Sequence, residues 1–72
     1  MAITLKALRI NAGMDQRTAA EKIGVTPETL SKWENAKTFP NAKQISAIEK
    51  LYHVGYSDIN FLLDNIGLVE GS

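Results

Sequence analysis

The sequence predicts a small all-α domain, and three observations lead to this fold class. Apolar residues recur at the three- and four-residue spacing of helices, and no segment alternates like a strand for long. Helix-capping and helix-stopping residues divide the chain into short segments. The chain has 72 residues and no cysteine, so disulfides and thiolate metal sites are excluded and helix packing must supply the stability.

Five short helices are expected, each beginning at a residue whose side chain can accept a hydrogen bond from the helix N-terminus. In chain order the predicted caps are Thr4, Asp15, Thr26, Asn41 and Ser57. The predicted inward-facing residues are, helix by helix, Leu5, Leu8 and Ala12; Ala19, Ala20 and Ile23; Leu30 and Trp33; Ile45, Ile48, Leu51 and Tyr52; and Ile59, Leu62 and Leu63.

The second and third predicted helices are separated by only three residues, 24–26, and this spacing indicates a helix-turn-helix unit. Gly24 permits a left-handed backbone, and Pro27 suits the first position of the next helix. With Leu30 and Trp33 facing inward, the remaining side chains of the helix over residues 26–34 point outward. A helix so short is better suited to presenting side chains than to building core, and its width fits a DNA major groove.

The net charge is zero, whereas nucleic-acid-binding domains are often basic. The charges are distributed unevenly, however. Residues 1–48 hold seven basic and four acidic side chains, a net charge of +3, and residues 49–72 hold one basic and four acidic side chains, a net charge of −3. This asymmetry predicts a basic face and an acidic C-terminal part.

The stretch from Leu5 to about Leu63 resembles the Cro/repressor-type (phage-repressor-like, XRE-type) helix-turn-helix family. The resemblance is carried by "LKALR" in the first helix, Gln16 opening the second, "AEKIGV" at the turn, "TLSKWENAK" and Pro40. It implies a compact five-helix, lambda-repressor-like domain over residues 1–64, followed by a short C-terminal tail over residues 65–72. The function it implies is sequence-specific binding of double-stranded DNA by a small phage or bacterial transcription regulator, such as a repressor.

The resemblance also implies roles for individual side chains. Arg9 and Glu34 match a pair that forms an internal salt bridge. The residues implied to approach base edges are Pro27, Glu28, Thr29 and Lys32. The residues implied to contact the DNA backbone are Gln16, Arg17, Ser31, Asn35, Lys37 and Thr38.

Three residues depart from the family pattern. Ala19 stands where leucine is usual, so the core is expected to be thinner there. Ala36 stands where glycine is usual, which leaves two alternatives: a strained left-handed turn or a different loop. Asp15 replaces the usual Ser or Thr cap; its carboxylate favours the helix dipole but repels a nearby phosphate.

Other interpretations of the same residues remain open. Glu28 and Lys32 are four residues apart and also suit an exposed helical ion pair. Net neutrality together with Asp15 and Glu28 favours a protein-interaction adaptor that keeps the fold, and an antitoxin would combine both roles. An enzyme is not expected, since no nucleophile–base set or phosphate loop is evident. His53 is the single histidine and suits the end of the fourth helix better than a metal site.

The partners follow from this interpretation. A single recognition helix reads few base pairs, so a homodimer on a two-fold operator is expected. Four apolar residues of the acidic C-terminal part either form the dimer contact or close the domain's own core: Phe61, Ile66, Leu68 and Val69. No cofactor, metal, small-molecule ligand or membrane contact is expected. The N-terminal residues lack a secretory signal pattern, so the expected location is the cytoplasm. No separate effector domain is expected.

Overall fold

Helices make up most of the computed structural model, which describes residues 2–62. The elements in chain order are strand β1 (Ile3–Thr4), helices α1 (Leu5–Asn11), α2 (Gln16–Ile23), α3 (Pro27–Glu34) and α4 (Ala42–Tyr52), a 3₁₀ turn (Tyr56–Asp58) and strand β2 (Ile59–Asn60). Each strand is only two residues long, so the predicted all-α class is confirmed.

Each α-helix begins at the residue that the sequence predicted as its cap. The side-chain oxygens of Thr4, Asp15, Thr26 and Asn41 each accept a hydrogen bond from a backbone N–H three residues later. These bonds satisfy donors that have no partner inside a helix. Short helices are therefore positioned in the chain by their own sequence.

The core lies where α2 packs against both α3 and α4. Ala19, Ala20, Leu30 and Ile48 are fully buried, and Trp33 is buried with them as predicted. The two alanines allow the helix backbones to approach closely. Leu5 and Leu8 add α1 to this core, but Ala12 follows the end of α1 and is exposed, so its predicted inward position is wrong.

The predicted fifth helix is absent from residues 57–62. A 3₁₀ turn replaces its start, and Ile59 and Asn60 are extended. The Asn60 side chain accepts a 2.9 Å hydrogen bond from the backbone N–H of Leu62, whose φ is +61°. This local bond competes with helical hydrogen bonding. Ile59 and Phe61 are buried while Asn60 is exposed, which is the alternation of an extended strand. This alternation covers only three residues, so in the sequence the helical spacing of the apolar residues was the stronger signal.

The extended segment pairs with the beginning of the chain. Strands β1 and β2 are parallel, with Ile3 opposite Ile59 and Thr4 opposite Asn60. Buried Ile59 therefore joins the core at the side where Ile3 also packs. Helix spacing alone did not predict this pairing.

Phe61 was predicted either to form a dimer contact or to close the domain's own core. It is 6% exposed and belongs to the core. Its ring lies edge-to-face against Phe39, with centroids 5.0 Å apart, and stacks on Tyr56 at 5.8 Å. Phe39 is half-buried by this contact. Ile66, Leu68, Val69 and the predicted tail 65–72 lie outside the described residues, as does Leu63.

Across residues 2–62, each helix is too short or too polar to cross a membrane.

Gly24 provides a test of the backbone geometry that separates α2 from α3. Its φ is +95°, and a Cβ added there would contact nothing within 4 Å. Gly24→Ala should therefore lower the free energy of unfolding by about 1–2 kcal/mol through backbone strain alone. The measurement is urea denaturation followed by circular dichroism.

Gly55 supplies the matched control, because its φ is −90° and its added Cβ would meet Asp58 Oδ2 at an ordinary 3.4 Å. Gly55→Ala should leave stability unchanged or raise it by about 0.4–1 kcal/mol. If both substitutions changed the free energy of unfolding equally, the left-handed backbone of Gly24 would not be the cause of the loss.

Candidate nucleic-acid interface

The turn between α2 and α3 is held by hydrogen bonds to one carbonyl. The backbone N–H groups of Gly24 and Val25 both donate to Ala20 O, at 2.8 and 2.9 Å. Thr26 then caps α3, and Pro27 occupies its first turn. The predicted helix-turn-helix unit is present, since the two helices are joined by the three predicted residues.

Helix α3 has a clear division between an inner and an outer side. Leu30, Trp33 and Glu34 are buried, whereas Pro27, Glu28 and Lys32 are exposed. Because Glu28 and Lys32 are one turn apart and opposite the buried side, they lie at the centre of the outer face. Both side chains are exposed, and no salt bridge joins them within residues 2–62.

Thr29 and Ser31 flank the outer face and are half-buried. Thr29 Oγ1 lies 2.9 Å from the hydroxyl of Thr26, so its side chain takes part in the helix cap. Asn35 Nδ2 donates to Ser31 O at 2.9 Å and to Ser31 Oγ at 3.3 Å. The amide of Asn35 is therefore turned back along α3.

The chain leaves α3 through a left-handed residue. Ala36 has φ +60° and is buried, which decides between the two alternatives for this position in favour of the left-handed turn. The N–H of Ala36 donates to Trp33 O at 3.2 Å, and that of Lys37 to Lys32 O at 2.8 Å. This hydrogen-bond pattern is a Schellman motif. It directs exposed Lys37 and Thr38 away from the helix end.

Two predicted backbone-contacting residues open α2. Arg17 is exposed, and Gln16 is half-buried. Gln16 Nε2 donates a 3.0 Å hydrogen bond to Glu34 Oε1, so the Gln16 side chain is held against the end of α3. Sequence reasoning missed this bond, because the partners are 18 positions apart and such a separation gives no periodic signal.

Arg9 and Glu34 meet as an ion pair between α1 and α3. Arg9 Nε lies 2.7 Å from Glu34 Oε2, and the side chains are 11% and 2% exposed, respectively. Arg9 Nη2 donates to Glu34 Oε1 at 3.2 Å, and Nη1 donates to Met14 O at 3.0 Å. The hydrogen bond to Glu34 raises the pKa of Arg9, so the guanidinium stays charged.

Asp15 and Tyr52 also have shifted pKa values. The backbone N–H of Thr18 donates to Asp15 and lowers the pKa of its carboxyl, so Asp15 is negative at neutral pH at the N-terminus of α2. Burial raises the pKa of Tyr52, and the negative charge of Glu34 raises it further. The Tyr52 hydroxyl is buried and bonds to no other described residue.

Comparisons with known proteins extend these observations. The sequence model of the helix-turn-helix family matches residues 5–59. The chain is 31% identical over 55 residues to a protein of Enterococcus faecalis named HTH-type transcriptional activator BcrR. That match covers 76% of this chain but 27% of the relative, so the chain spans about a quarter of that protein's length. No solved structure matches the chain at a significant level.

Glu34→Ala tests whether the ion pair stabilises the fold. The substitution leaves the guanidinium of Arg9 poorly solvated and without its partner, so it should lower the free energy of unfolding by about 2–4 kcal/mol. Denaturant unfolding measures this loss. Glu28→Ala, at an exposed position of the same helix, is the control and should change stability by no more than about 0.5 kcal/mol. An unchanged midpoint for Glu34→Ala would contradict a stabilising role.

Proposed function

The chain belongs to the helix-turn-helix family, and on that premise we propose that it binds double-stranded DNA sequence-specifically and regulates transcription. Helix α3 enters the major groove with its outer face towards the bases. The observation that carries this proposal is the exposed pair Glu28 and Lys32 on a short helix whose other side is anchored in the core. Side chains with that placement can reach base edges without loss of core contacts.

The charge around α3 supports the same orientation. Arg17, Lys32 and Lys37 are exposed in α2, in α3 and just beyond α3, respectively. Lysine and arginine at such positions neutralise phosphates and fix the register of a protein on DNA. In the proposed complex Pro27, Glu28, Thr29 and Lys32 approach base edges. The backbone contacts come from Gln16, Arg17, Ser31, Asn35, Lys37 and Thr38.

Regulation is proposed to follow from occupancy of an operator, which blocks or positions polymerase. The E. faecalis relative is named a transcriptional activator, whereas the resemblance to phage repressors favours repression. Both fit a non-enzymatic role in the cytoplasm. The chain covers 27% of that relative, so the activator role in its name is not carried over to this chain.

Selection of bound sequences from random duplex DNA tests the proposal directly. We expect recovery of a short motif with two-fold symmetry. Failure to recover any motif would favour the alternative of a protein-interaction adaptor. The observation that favours this alternative is Glu28, an exposed carboxylate at the centre of the outer face of α3.

We further propose that the protein binds as a homodimer with half-sites about one helical turn, roughly 34 Å, apart. Specificity supports this, since one recognition helix reads few base pairs. Phe61 is excluded as a dimer contact by its burial, while Tyr56 and Ile10 are exposed at 47% and 56%. Sedimentation that shows one protein per saturated operator would contradict the dimer.

Lys37→Ala and Lys32→Ala separate phosphate contact from base recognition. Lys37→Ala should remove one phosphate contact. It should therefore weaken binding to all duplexes alike and reduce the slope of log K against log salt by about 0.9. Lys32→Ala should instead lose about 1–3 kcal/mol of preference at one base pair per half-site. Fluorescence anisotropy on operator variants at several salt concentrations measures both. A uniform loss from Lys32→Ala would place Lys32 at a phosphate.

Glu28→Ala distinguishes base recognition from a solvated helix charge. Removal of a negative charge near DNA should strengthen binding to random duplexes. If the carboxylate also accepts from a cytosine amine, the same change must relax specificity at that position. We therefore expect tighter random binding and a smaller ratio of operator to random affinity at matched salt. An unchanged ratio would remove the base-reading role of Glu28.

A further inference from the structure

The carboxylate of Glu34 joins the interior ion pair to the proposed DNA surface. Its Oε2 accepts from Arg9 Nε at 2.7 Å, and its Oε1 accepts from Arg9 Nη2 at 3.2 Å. The same Oε1 accepts from Gln16 Nε2 at 3.0 Å. Gln16 is the first residue of α2 and is partly exposed, whereas the side chain of Glu34 is 2% exposed. One buried group therefore contacts a surface amide directly.

The chemistry of the partners determines how the Gln16 amide is oriented. An ionised carboxylate only accepts hydrogen bonds, so the NH₂ group of Gln16 must face Glu34 and its carbonyl oxygen must point away. One N–H of that NH₂ group is used by Glu34, and the second remains for another acceptor. A phosphate oxygen is such an acceptor.

Arg9 completes the arrangement in two ways. Its Nη1 holds Met14 O at 3.0 Å, and Met14 N donates to Arg9 O at 3.2 Å, so the turn that precedes α2 is fixed to α1. Its positive charge also compensates the carboxylate of Glu34. Without that compensation, a negative charge directly behind Gln16 would repel a phosphate.

We propose that Glu34 is a positioning residue for DNA binding: it holds the side-chain amide of Gln16 in the orientation that donates to a phosphate. This inference rests on the proposed function. The pre-formed orientation lowers the entropy lost when the contact forms. The conformation of Gln16 is then already set before DNA arrives, and the interior ion pair contributes to affinity as well as to stability.

A double-mutant cycle on DNA affinity tests the proposal with Gln16→Ala, Glu34→Gln and the double variant. In Glu34→Gln one carboxylate oxygen is replaced by an NH₂ group. With the amide oxygen kept at the shortest contact, 2.7 Å from Arg9 Nε, the NH₂ group takes the position of Oε1, where it meets the NH₂ group of Gln16 and displaces it. We expect Gln16→Ala to weaken operator binding roughly tenfold, as for loss of a charge-assisted hydrogen bond. Glu34→Gln should weaken it by a similar factor, and the double variant by no more than Gln16→Ala alone.

A purely structural role for Glu34 gives a different result. Glu34→Gln would then weaken binding by the same factor in the natural chain and in the Gln16→Ala variant, and this result would overturn the proposal. An unchanged affinity in Gln16→Ala would also overturn it. Gln44 provides the matched control, because it caps α4 through Asn41 and lies outside the proposed DNA surface. Glu34→Gln should weaken binding equally in the Gln44→Ala background and in the natural chain.

The natural protein allows a second measurement that does not depend on how well the variants fold. Gln16 and Gln44 are the two glutamines of the chain, so their side-chain NH₂ signals are easily distinguished by NMR. We expect the Gln16 amide of the DNA-free protein to be as ordered as the backbone. An amide that becomes ordered only after operator is added would overturn the positioning role. Absence of operator binding by the natural protein would instead reject the proposed function.

Discussion

The ion pair between Arg9 and Glu34 is the interaction on which the arrangement of the first three helices depends. It joins the last turn of α1 to the last residue of α3, and the guanidinium also holds the turn before α2 through Met14 O. A buried pair is a weak source of net stability, because desolvation offsets most of its attraction. Its value here is geometric: two rigid charged groups with several hydrogen bonds permit few relative positions of the helices.

The features that the sequence predicted well are local ones. A cap depends on a side chain and a backbone N–H three residues away, so Thr4, Asp15, Thr26 and Asn41 could be assigned without any knowledge of the fold. The turn at Gly24 and the burial of Trp33 follow from spacing in the same way. These signals were sufficient for the helix-turn-helix unit and for the outer face of α3.

Contacts between distant parts of the chain were harder to predict. Helical spacing of Ile59 and Leu62 suggested a helix, but a parallel partner at Ile3 and the side-chain bond from Asn60 favoured an extended segment. The resemblance implied the Arg9–Glu34 pair, yet neither it nor the spacing indicated that Gln16 shares the same carboxylate. Which donors converge on one acceptor is decided by packing in three dimensions, and a single sequence carries no periodic trace of it.

The parallel pairing of β1 with β2 has a consequence for how the protein is made. Ile3 and Thr4 leave the ribosome before the helices do, but their partners are synthesised 56 residues later. Contacts between successive helices can form during synthesis, whereas the strand pair has to wait for Ile59 and must also close a long loop. The β1 segment therefore stays unpaired while the helices assemble, and the pairing of β1 with β2 belongs to the end of folding.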